Sequence, residues 1–248
     1  MNNQLAAIIL AAGRGKRMQL TAANKVTLQL ADKPIIRHIV DFMKHIAIRT
    51  IVVVVGYHKE SVIKSLEDQK VIFAEQKELL GTGNALVYAL EELPEDITDV
   101  LVVYGDDAVL YSEENASIIQ KLIKNHNQDN NAISFLTIEQ ENPSGLGRIV
   151  REKDGTISSI VEDKDATEEQ KKIKEINPGC FIISVEFLKK YLLKLEKSPV
   201  TQEFYLTGLI DLAVKNEEKV YGLNAGNLNW RGINTKEELE EAKKFFNN

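Results

Sequence analysis

The stretch that decides the fold is Ala7-Ile8-Ile9-Leu10-Ala11-Ala12-Gly13-Arg14-Gly15-Lys16-Arg17-Met18. It begins with an apolar run, residues 6–10, whose length is typical of a buried parallel strand. Small residues and two glycines follow, so the backbone can approach a ligand closely and donate its N–H groups to it. Three basic residues in the same segment add positive charge, and the combination favours a polyphosphate ligand.

Two familiar glycine-rich loops do not match this stretch. The dinucleotide-binding fingerprint G-x-G-x-x-G would need a third glycine where Met18 stands. The P-loop pattern G-x-x-x-x-G-K-[ST] does not occur in the chain. The loop is therefore either a third kind of phosphate-binding loop or an ordinary strand-to-helix turn with solvated basic residues.

The composition is typical of a soluble, globular chain that is long enough for one large domain. It has 248 residues, of which 44% are hydrophobic and 27% are charged. The 31 basic and 37 acidic residues give a formal net charge of −6, which argues against a nucleic-acid-binding protein. The single cysteine, Cys180, excludes an internal disulfide and a cysteine-based zinc site, and the four histidines lack ligand-like spacing. A small anionic ligand suits the basic loop better.

Hydropathy and the first residues predict where the protein resides. No apolar run approaches the ~18 residues that a membrane-spanning helix needs. Met1-Asn2-Asn3-Gln4 carries no basic segment, and the apolar run behind it is too short for a signal peptide. We therefore expect a cytoplasmic protein without a membrane partner.

Strand and helix patterns alternate along the first 140 residues. Short apolar runs of strand length are separated by segments with helical spacing. Repeated strand–helix units predict a doubly wound, mostly parallel, Rossmann-like α/β sheet. The predicted strands are 6–10, 51–55, 71–73, 100–103 and 132–138. One predicted helix has Pro34 in its first turn, and the others span 60–66, 81–93 and 113–124.

The second part of the chain has a different pattern, without repeats or a linker that would mark a separate domain. We expect it to pack over the carboxyl ends of the strands. Residues 162–175 are highly charged, and their simplest interpretation is a solvated helix or loop. The other predicted strands are 147–150, 156–161, 180–183 and 220–223. Helices are predicted at 185–195 and up to Ala213, the latter with Thr201 as its N-cap. A last helix is predicted to begin at the capping box Thr235-Lys236-Glu237-Glu238 and to end at Phe246.

Three segments suited to ligand binding are predicted where a strand ends or a helix begins: residues 10–18, Gly81-Thr82-Gly83 and Gly105-Asp106. Ligands of open α/β sheets bind at the carboxyl edge of the strands, so we expect these segments to meet there. The glycines permit backbone contact with a base or ribose, and the Gln76 amide complements a pyrimidine edge. Asp106 is a candidate Mg²⁺ ligand. The simpler alternatives are a helix cap for the glycines and a turn for Asp106.

The motifs L-A-A-G-R-G-K-R-M (10–18) with Lys25, E-Q-K-E-L-L-G-T-G-N-A (75–85) and Y-G-D (104–106) resemble those of sugar-1-phosphate nucleotidylyltransferases. Four later motifs resemble the pyrophosphorylase domain of the bacterial N-acetylglucosamine-1-phosphate uridylyltransferases. The first loop is shared by many nucleotidylyltransferases, whereas the later motifs are far more specific. They are G-L-G-R-I-V-R-E (145–152), I-V-E-D-K-D-A-T-E-E-Q (160–170), I-K-E-I-N-P-G (173–179) and E-F-Y-L-T (203–207).

The resemblance implies a single nucleotide-diphospho-sugar transferase domain over 1–248, with a nucleotide-binding half (1–140) and a sugar-phosphate-binding half (141–248). It implies uridylyl transfer from UTP to a sugar 1-phosphate, with N-acetylglucosamine 1-phosphate as the expected sugar and Mg²⁺ as the cofactor. The implied catalytic residues are Arg17, Lys25 and Asp106, and the implied metal ligands are Asp106 and Asn234. The implied nucleotide contacts are Leu10, Ala11, Ala12, Gly13, Gln76, Gly81 and Thr82, and the implied sugar-phosphate contacts are Tyr104, Gly147, Glu162, Asn177, Tyr205 and Thr207.

Several positions depart from the family pattern. Asn24 stands where proline usually precedes the loop lysine, and one extra residue separates Arg17 from Lys25. After Asp106, an apolar residue, proline and leucine are usual, but the chain continues with Asp107-Ala108-Val109. An extra carboxylate there could repel a substrate phosphate or alter metal binding. The other departures are Leu79 for glutamine, Asn84 for histidine, Pro178 for threonine and Gly208 for aspartate.

These departures loosen the sugar assignment and leave alternatives. One is transfer to another hexose 1-phosphate or from another nucleoside triphosphate. The other is a non-catalytic nucleotide-sugar-binding or regulatory protein on the same fold. The acetyltransferase half of the bifunctional family members is absent from these 248 residues, so no acetyl-CoA-dependent activity and no trimer built by that half are expected.

Overall fold

A computed structural model of the chain describes residues 4–18, 20, 22–228, 230 and 232–246. Residues 1–3, on which the expectation about a signal peptide depends, lie outside the described residues, as does the side chain of Lys16. The strands are β1 (Leu5–Leu10), β2 (Gln29–Leu30), β3 (Lys33–Pro34), β4 (Thr50–Val55), β5 (Ile72–Glu75), β6 (Asp99–Tyr104), β7 (Ile133–Glu139), β8 (Gly147–Arg151), β9 (Ile157–Val161), β10 (Glu175–Asn177), β11 (Cys180–Ser184) and β12 (Val220–Asn224). The α-helices are α1 (Ile35–His45), α2 (Lys59–Ser65), α3 (Thr82–Glu91), α4 (Ala116–Asp129), α5 (Val185–Tyr191), α6 (Gly208–Lys215) and α7 (Lys236–Phe246).

Ten of the described strands join in one sheet, while β2 and β3 form a separate hairpin. The order is β5-β4-β1-β6-β11-β7, with β12 also paired to β7, and with β10, β8 and β9 continuing from the last residues of β7. Seven strands run in one direction, and β9, β10 and β11 run against them. The mostly parallel α/β sheet predicted from the sequence is confirmed. The second half of the chain also contributes β11 and β12 to the body of the sheet.

The sheet is buried on both faces, which explains why its central strands are continuous apolar runs. Successive side chains of a strand point to opposite faces. Ala7 and Ile9 of β1 accordingly pack in one core with α1, α2 and α4, whereas Ala6 and Ile8 pack in a second core with α3, α5 and α6. None of the helices in the described part of the chain combines the length and apolar character that crossing a bilayer requires.

The start of α6 differs from the prediction that Thr201 caps a helix. Residues 201–207 are not helical, and α6 begins at Gly208. The reason is tertiary pairing: Phe204 N donates to Leu80 O (2.8 Å), and Gly83 N donates to Phe204 O (2.8 Å). The backbone groups of Phe204 thus bond to a residue before α3 and to one in its first turn, instead of forming helical hydrogen bonds. Short elements such as β2, β3 and β10 also escaped prediction, because two or three residues leave no readable period.

The capping box predicted at the start of α7 is confirmed. Glu238 N donates to Thr235 Oγ1 (3.2 Å), and Thr235 N donates to Glu238 Oε2 (2.9 Å). This reciprocal pair satisfies backbone donors that the first turn of a helix leaves free. The helix begins directly after a segment that contributes to the candidate site.

Candidate active site

The predicted phosphate loop begins at the carboxyl end of β1, in the middle of the parallel strands. Ala11 N donates to Val54 O of β4 (2.9 Å), and Gly105 N donates to Leu10 O (3.0 Å). These bonds fix the start of the loop between the ends of β4 and β6, where open α/β sheets bind their ligands. The exposed side chain of Arg17 follows on a short 3₁₀ helix.

Lys25, Asp106 and Asn234 meet at the same edge. Lys25 Nζ is bonded to Asp106 Oδ2 and donates to Asn234 Oδ1 at 2.7 Å. The side chains of Lys25 and Asp106 are only 13% and 15% exposed, so this contact is partly shielded from solvent. The structure therefore brings together three residues that the resemblance placed in catalysis and metal binding. In this arrangement an ammonium group lies between the two oxygens assigned to the metal.

Asn234 is held in place by its backbone. Ile233 N donates to the backbone O of Asp106 (3.0 Å), which ties the segment to the end of β6. Asn234 N donates to Glu238 Oε2 (2.7 Å), so the carboxylate that caps α7 also fixes Asn234. The capping box, which sequence reasoning interpreted only as a helix signal, is thus part of the support of the site.

Asp106 and Asn234 offer side-chain oxygens of the kind that bind a divalent cation, and these oxygens lie close to each other. Their Oδ2 and Oδ1 atoms converge on one cationic nitrogen, so the same two oxygens can face one metal ion. Mg²⁺ takes oxygen ligands and usually completes its shell with water and substrate phosphates. No group of three or more His, Cys, Asp or Glu within the described residues is arranged to hold a metal. These two residues would therefore supply only part of its coordination.

A cavity of about 310 Å³ is lined in part by Asp106 and Asn234, the two partners of Lys25. Its lining comes from both halves of the chain, so the strand ends of the first half and the loops of the second half share one space. The predicted residues that line it are Arg17, Tyr104, Asp106, Gly147, Glu162, Asn177 and Asn234.

The sugar side of this cavity is built from buried polar side chains that bond to their neighbours. Thr207 Oγ1 donates to Glu162 Oε1 (2.8 Å), and burial raises the pKa of the Glu162 carboxyl. Asn177 Oδ1 accepts from Gly179 N (3.0 Å) in a turn between β10 and β11. Gly179 has φ +89°, and a Cβ there would lie 2.3 Å from the Tyr104 ring, so only glycine permits this packing.

Thr207 and Tyr205, which the resemblance placed among the sugar-phosphate contacts, do not line the described cavity. Thr207 is buried and reaches the site through Glu162. Burial raises the pKa of the Tyr205 phenol, and nearby Glu162 raises it further. Of the two, Thr207 therefore acts on the described cavity through the Glu162 carboxyl.

The predicted nucleotide-binding residues lie outside this cavity. Thr82 Oγ1 accepts from Leu206 N (2.9 Å), so the hydroxyl joins the start of α3 to the second half of the chain. Gly81 has φ +105°, and a Cβ there would lie 2.5 Å from Phe204 O, so this contact requires glycine. Gln76 is buried, and its Nε2 donates to Gly81 O (3.1 Å). Residues 10–13 likewise do not line the cavity.

Acidic side chains outnumber basic ones in the described lining of the cavity. Asp106, Asp107, Glu162 and Glu238 line it together with one basic residue, Arg17. Asp107 is buried, its Oδ2 has no hydrogen-bond partner, and burial with the nearby Asp106 charge raises its pKa well above the usual range. Phosphates would be repelled by such a surface. A phosphate-bearing substrate therefore needs additional positive charge here, from Lys25 or a metal ion.

Sequence reasoning assigned no role to several lining residues. Gln140, Asn142 and Ser144 come from the loop after β7, whose cluster of Asn, Pro, Ser and Gly directly after a parallel strand was an available signal. Trp230, the single tryptophan, also lines the cavity and carried no such signal. The buried Asn24, noted only as a departure, carries a set of hydrogen bonds described below.

Comparison with known proteins identifies the family of the chain. The sequence matches the protein family described as "Nucleotidyl transferase" over residues 6–248. Bifunctional protein GlmU of Psychrobacter sp. (strain PRwf-1) is 36% identical over 245 residues, and that of Legionella pneumophila subsp. pneumophila (strain Philadelphia 1) is 39% identical over 247 residues. The alignments cover 98% and 99% of this chain but 52% of each relative. The chain therefore spans about half the length of these relatives.

Proposed function

The chain belongs to the nucleotidyl transferase family, and we propose that it transfers a uridylyl group from UTP to N-acetylglucosamine 1-phosphate. The family match confirms the resemblance stated from the motifs and makes the protein a nucleotidyltransferase. The proposed products are the UDP-sugar and pyrophosphate. The cytoplasmic location expected from the sequence is part of this proposal, because both proposed substrates are small soluble molecules.

The observation that carries the proposal is the meeting of Lys25, Asp106 and Asn234 beside a cavity lined by Glu162 and Asn177. One side of this arrangement offers cationic and metal-binding groups, which suit a triphosphate. The other side offers a carboxylate and an amide, which can hydrogen-bond to sugar hydroxyls. A site that holds a triphosphate beside a sugar phosphate is what nucleotidyl transfer requires.

The proposed reaction is a direct in-line displacement. An oxygen of the sugar phosphate bonds to the α-phosphorus of UTP, and the bond from that phosphorus to the bridging oxygen of the β-phosphate breaks, releasing pyrophosphate. Arg17 and Lys25 would hold the triphosphate and stabilise the negative charge that develops in the transition state. Mg²⁺, held by Asp106 and Asn234, would supply the positive charge that lets two phosphate groups approach each other. No covalent enzyme intermediate is needed.

Binding of the two substrates would use residues from different halves of the chain. Residues 10–13 would contact the nucleotide through their backbone. The Gln76 amide is oriented by bonds from its Nε2 to Gly81 O and Asn84 Oδ1 (2.8 Å), which leaves Oε1 to accept from N3–H of uracil. On the sugar side, Glu162 and Asn177 would bond to ring hydroxyls, with Thr207 orienting Glu162.

A matrix of substrates tests this proposal. Each of UTP, CTP, ATP, GTP and dTTP is combined with N-acetylglucosamine, glucosamine, glucose and N-acetylgalactosamine 1-phosphates, and pyrophosphate release is measured with Mg²⁺. We expect the highest kcat/KM for UTP with N-acetylglucosamine 1-phosphate. A preference for another sugar or nucleotide would replace that part of the proposal. Nucleotide-sugar binding without turnover in any combination would favour the regulatory alternative.

A further inference from the structure

Asn24, directly before the loop lysine, has 1% of its surface exposed. Its Nδ2 donates to the carbonyl oxygens of Ala11 (3.0 Å), Gly13 (3.2 Å) and Tyr57 (2.8 Å). Two N–H hydrogens serve three acceptors, so one hydrogen is shared between two of them. The acceptors lie in the phosphate loop after β1 and in the segment after β4. One side chain therefore joins two strand ends at the edge where the nucleotide is proposed to bind.

Further hydrogen bonds of Asn24 connect it to the segment that carries Lys25. Asn24 Oδ1 accepts from Val26 N (3.2 Å), and its backbone O accepts from Thr27 N (3.0 Å). Asn24 is thus the N-cap of a 3₁₀ helix (Lys25–Thr27) whose first residue carries the ammonium group. Because the cap fixes the backbone at the first helical residue, it also fixes where the Lys25 side chain starts.

Proline, the residue usual at this position in the family pattern, cannot make these bonds. Asn24 has φ −75° and ψ 144°, which proline also adopts, so the backbone shape alone does not require asparagine. Proline would leave the carbonyls of Ala11, Gly13 and Tyr57 without their donor. It would also remove the bond from Asn24 N to Ser61 Oγ (3.0 Å). The side-chain amide therefore explains the choice of residue.

Holding these carbonyls has a direct effect on the loop donors. A peptide unit is planar and trans, so its C=O and the N–H of the following residue point in opposite directions. With the carbonyls of Ala11 and Gly13 turned toward Asn24, the N–H groups of Ala12 and Arg14 point away from it. Backbone N–H groups arranged in this way are donors for a phosphate.

We infer that Asn24 is a positioning residue, which sets the phosphate loop and Lys25 in one arrangement; this rests on the proposed nucleotidyl transfer. Asn24→Ala leaves several buried groups without partners and loosens both elements together. The kcat/KM for UTP then falls about 10-fold to 100-fold, while the KM for the sugar 1-phosphate stays unchanged. Asn24→Pro keeps the backbone angles but not the amide, and it gives the same result.

Hydrogen exchange measured on the protein without ligands separates positioning from catalysis. In Asn24→Ala and Asn24→Pro, exchange should rise in peptides covering residues 11–15 and 24–28 and stay unchanged in peptides from β7 and β11. Asn131→Ala is the matched control, because Asn131 is also a buried amide donor, to Ser134 Oγ (3.2 Å), and lies in the loop before β7. It should change neither loop exchange nor the kinetics with UTP.

Two results would overturn the role of Asn24. One is unchanged exchange in both loop segments of the Asn24 variants. The other is an equal loss of kcat/KM for UTP and of affinity for the sugar 1-phosphate, which general destabilisation would cause. If the unsubstituted protein releases no pyrophosphate from any substrate pair, the proposed function fails instead, and the exchange data still decide whether Asn24 holds the loop.

Discussion

On the side of the cavity where we propose that the triphosphate binds (the nucleotide side), Lys25 is bonded to Asp106 and Asn234. On the side proposed for the sugar phosphate (the sugar side), Glu162 is bonded to Thr207. The first set contains an ion pair whose partners would change when a metal ion and a triphosphate bind. The second set is a buried carboxylate with a neutral donor, which can stay in place when a sugar binds. In the proposed reaction, the nucleotide side therefore has to exchange charge partners, whereas the sugar side is already organised.

This difference determines what substitutions should do. On the nucleotide side, charge acts on the developing negative charge of the transition state, so changes there should lower kcat. On the sugar side, hydrogen bonds form with the bound substrate and persist, so changes there should raise the KM of the sugar phosphate. Kinetics of single variants can therefore separate the two sides.

The largest effect is expected from Asp106→Asn. The neutral amide binds Mg²⁺ poorly, and it also removes the negative partner of Lys25. We expect kcat to fall about 1,000-fold, which corresponds to about 4 kcal/mol of transition-state stabilisation. Pyrophosphate release at saturating substrates measures it. Asp96→Asn, an exposed site before the opposite end of β6, is the control and should keep normal turnover.

Lys25→Ala should have the second largest effect. Loss of the ammonium should lower kcat about 100-fold with a smaller change in the KM for UTP. Because Lys25 holds the two oxygens assigned to the metal, its removal should also tighten Mn²⁺ binding in the absence of nucleotide. Electron paramagnetic resonance of free Mn²⁺ measures that binding. Weaker Mn²⁺ binding in the variant would argue against a shared cation position.

A smaller effect is expected on the sugar side from Glu162→Gln and Thr207→Val. Thr207→Val removes the donor of the Glu162–Thr207 hydrogen bond, whereas Glu162→Gln keeps an acceptor but exchanges the carboxylate for a neutral amide. We expect the KM for N-acetylglucosamine 1-phosphate to rise about 10-fold in each, or about 1.4 kcal/mol. The KM for UTP should stay the same. Because the residues act together, the double variant should cost less than the sum of the single variants. Full additivity would show that they act independently.

The same pair predicts a pH dependence. Burial raises the pKa of the Glu162 carboxyl above its ordinary value of 4.5, so the folded state keeps that proton to higher pH than the unfolded chain. The contribution of Glu162 to the free energy of unfolding therefore falls as pH rises from about 4.5 through the raised pKa. In Glu162→Gln this fall should disappear. Urea unfolding of both proteins from pH 4.5 to 8 measures the difference.

The smallest effect is expected from Asp107→Val, and it concerns stability rather than turnover. Asp107 is buried, and its Oδ2 has no hydrogen-bond partner, so an apolar residue removes a desolvation cost. We expect the free energy of unfolding to rise by about 1 kcal/mol, which raises Tm by about 2–4 °C. Thermal unfolding with a metal chelator measures it. A loss of stability would indicate a favourable contact for this carboxylate.

The parallel strands of the fold were predictable because the pattern that identifies each strand lies within a short stretch of sequence. The run Ile8-Ile9-Leu10 and the later strand patterns are continuous and apolar, since both faces of the sheet are covered. The helix start at Thr235 was also predictable, because a capping box is complete within four residues. In these places the physical cause of the structure lies within one short segment.

The parts that were missed depend on contacts between distant segments. The non-helical segment before α6 pairs with Leu80 and Gly83, more than 120 positions away. The role of Asn24 likewise depends on the carbonyls of Ala11 and Tyr57, which no local pattern places near it. In the candidate site, the motifs predicted which residues take part. That Lys25 and Asn234 contact each other could be seen only in the folded structure, because 209 positions separate them in the sequence.

The most direct test of nucleotidyl transfer at this site follows the α-phosphorus. UTP labelled with ³²P at the α-phosphate is incubated with N-acetylglucosamine 1-phosphate and Mg²⁺, and the products are separated. We predict that the label enters the UDP-sugar in equal amount to the unlabelled pyrophosphate released, and that Asp106→Asn lowers both rates about 1,000-fold. Label recovered only in UTP or UMP, or undiminished transfer by Asp106→Asn, would contradict the proposed reaction and its placement at Asp106.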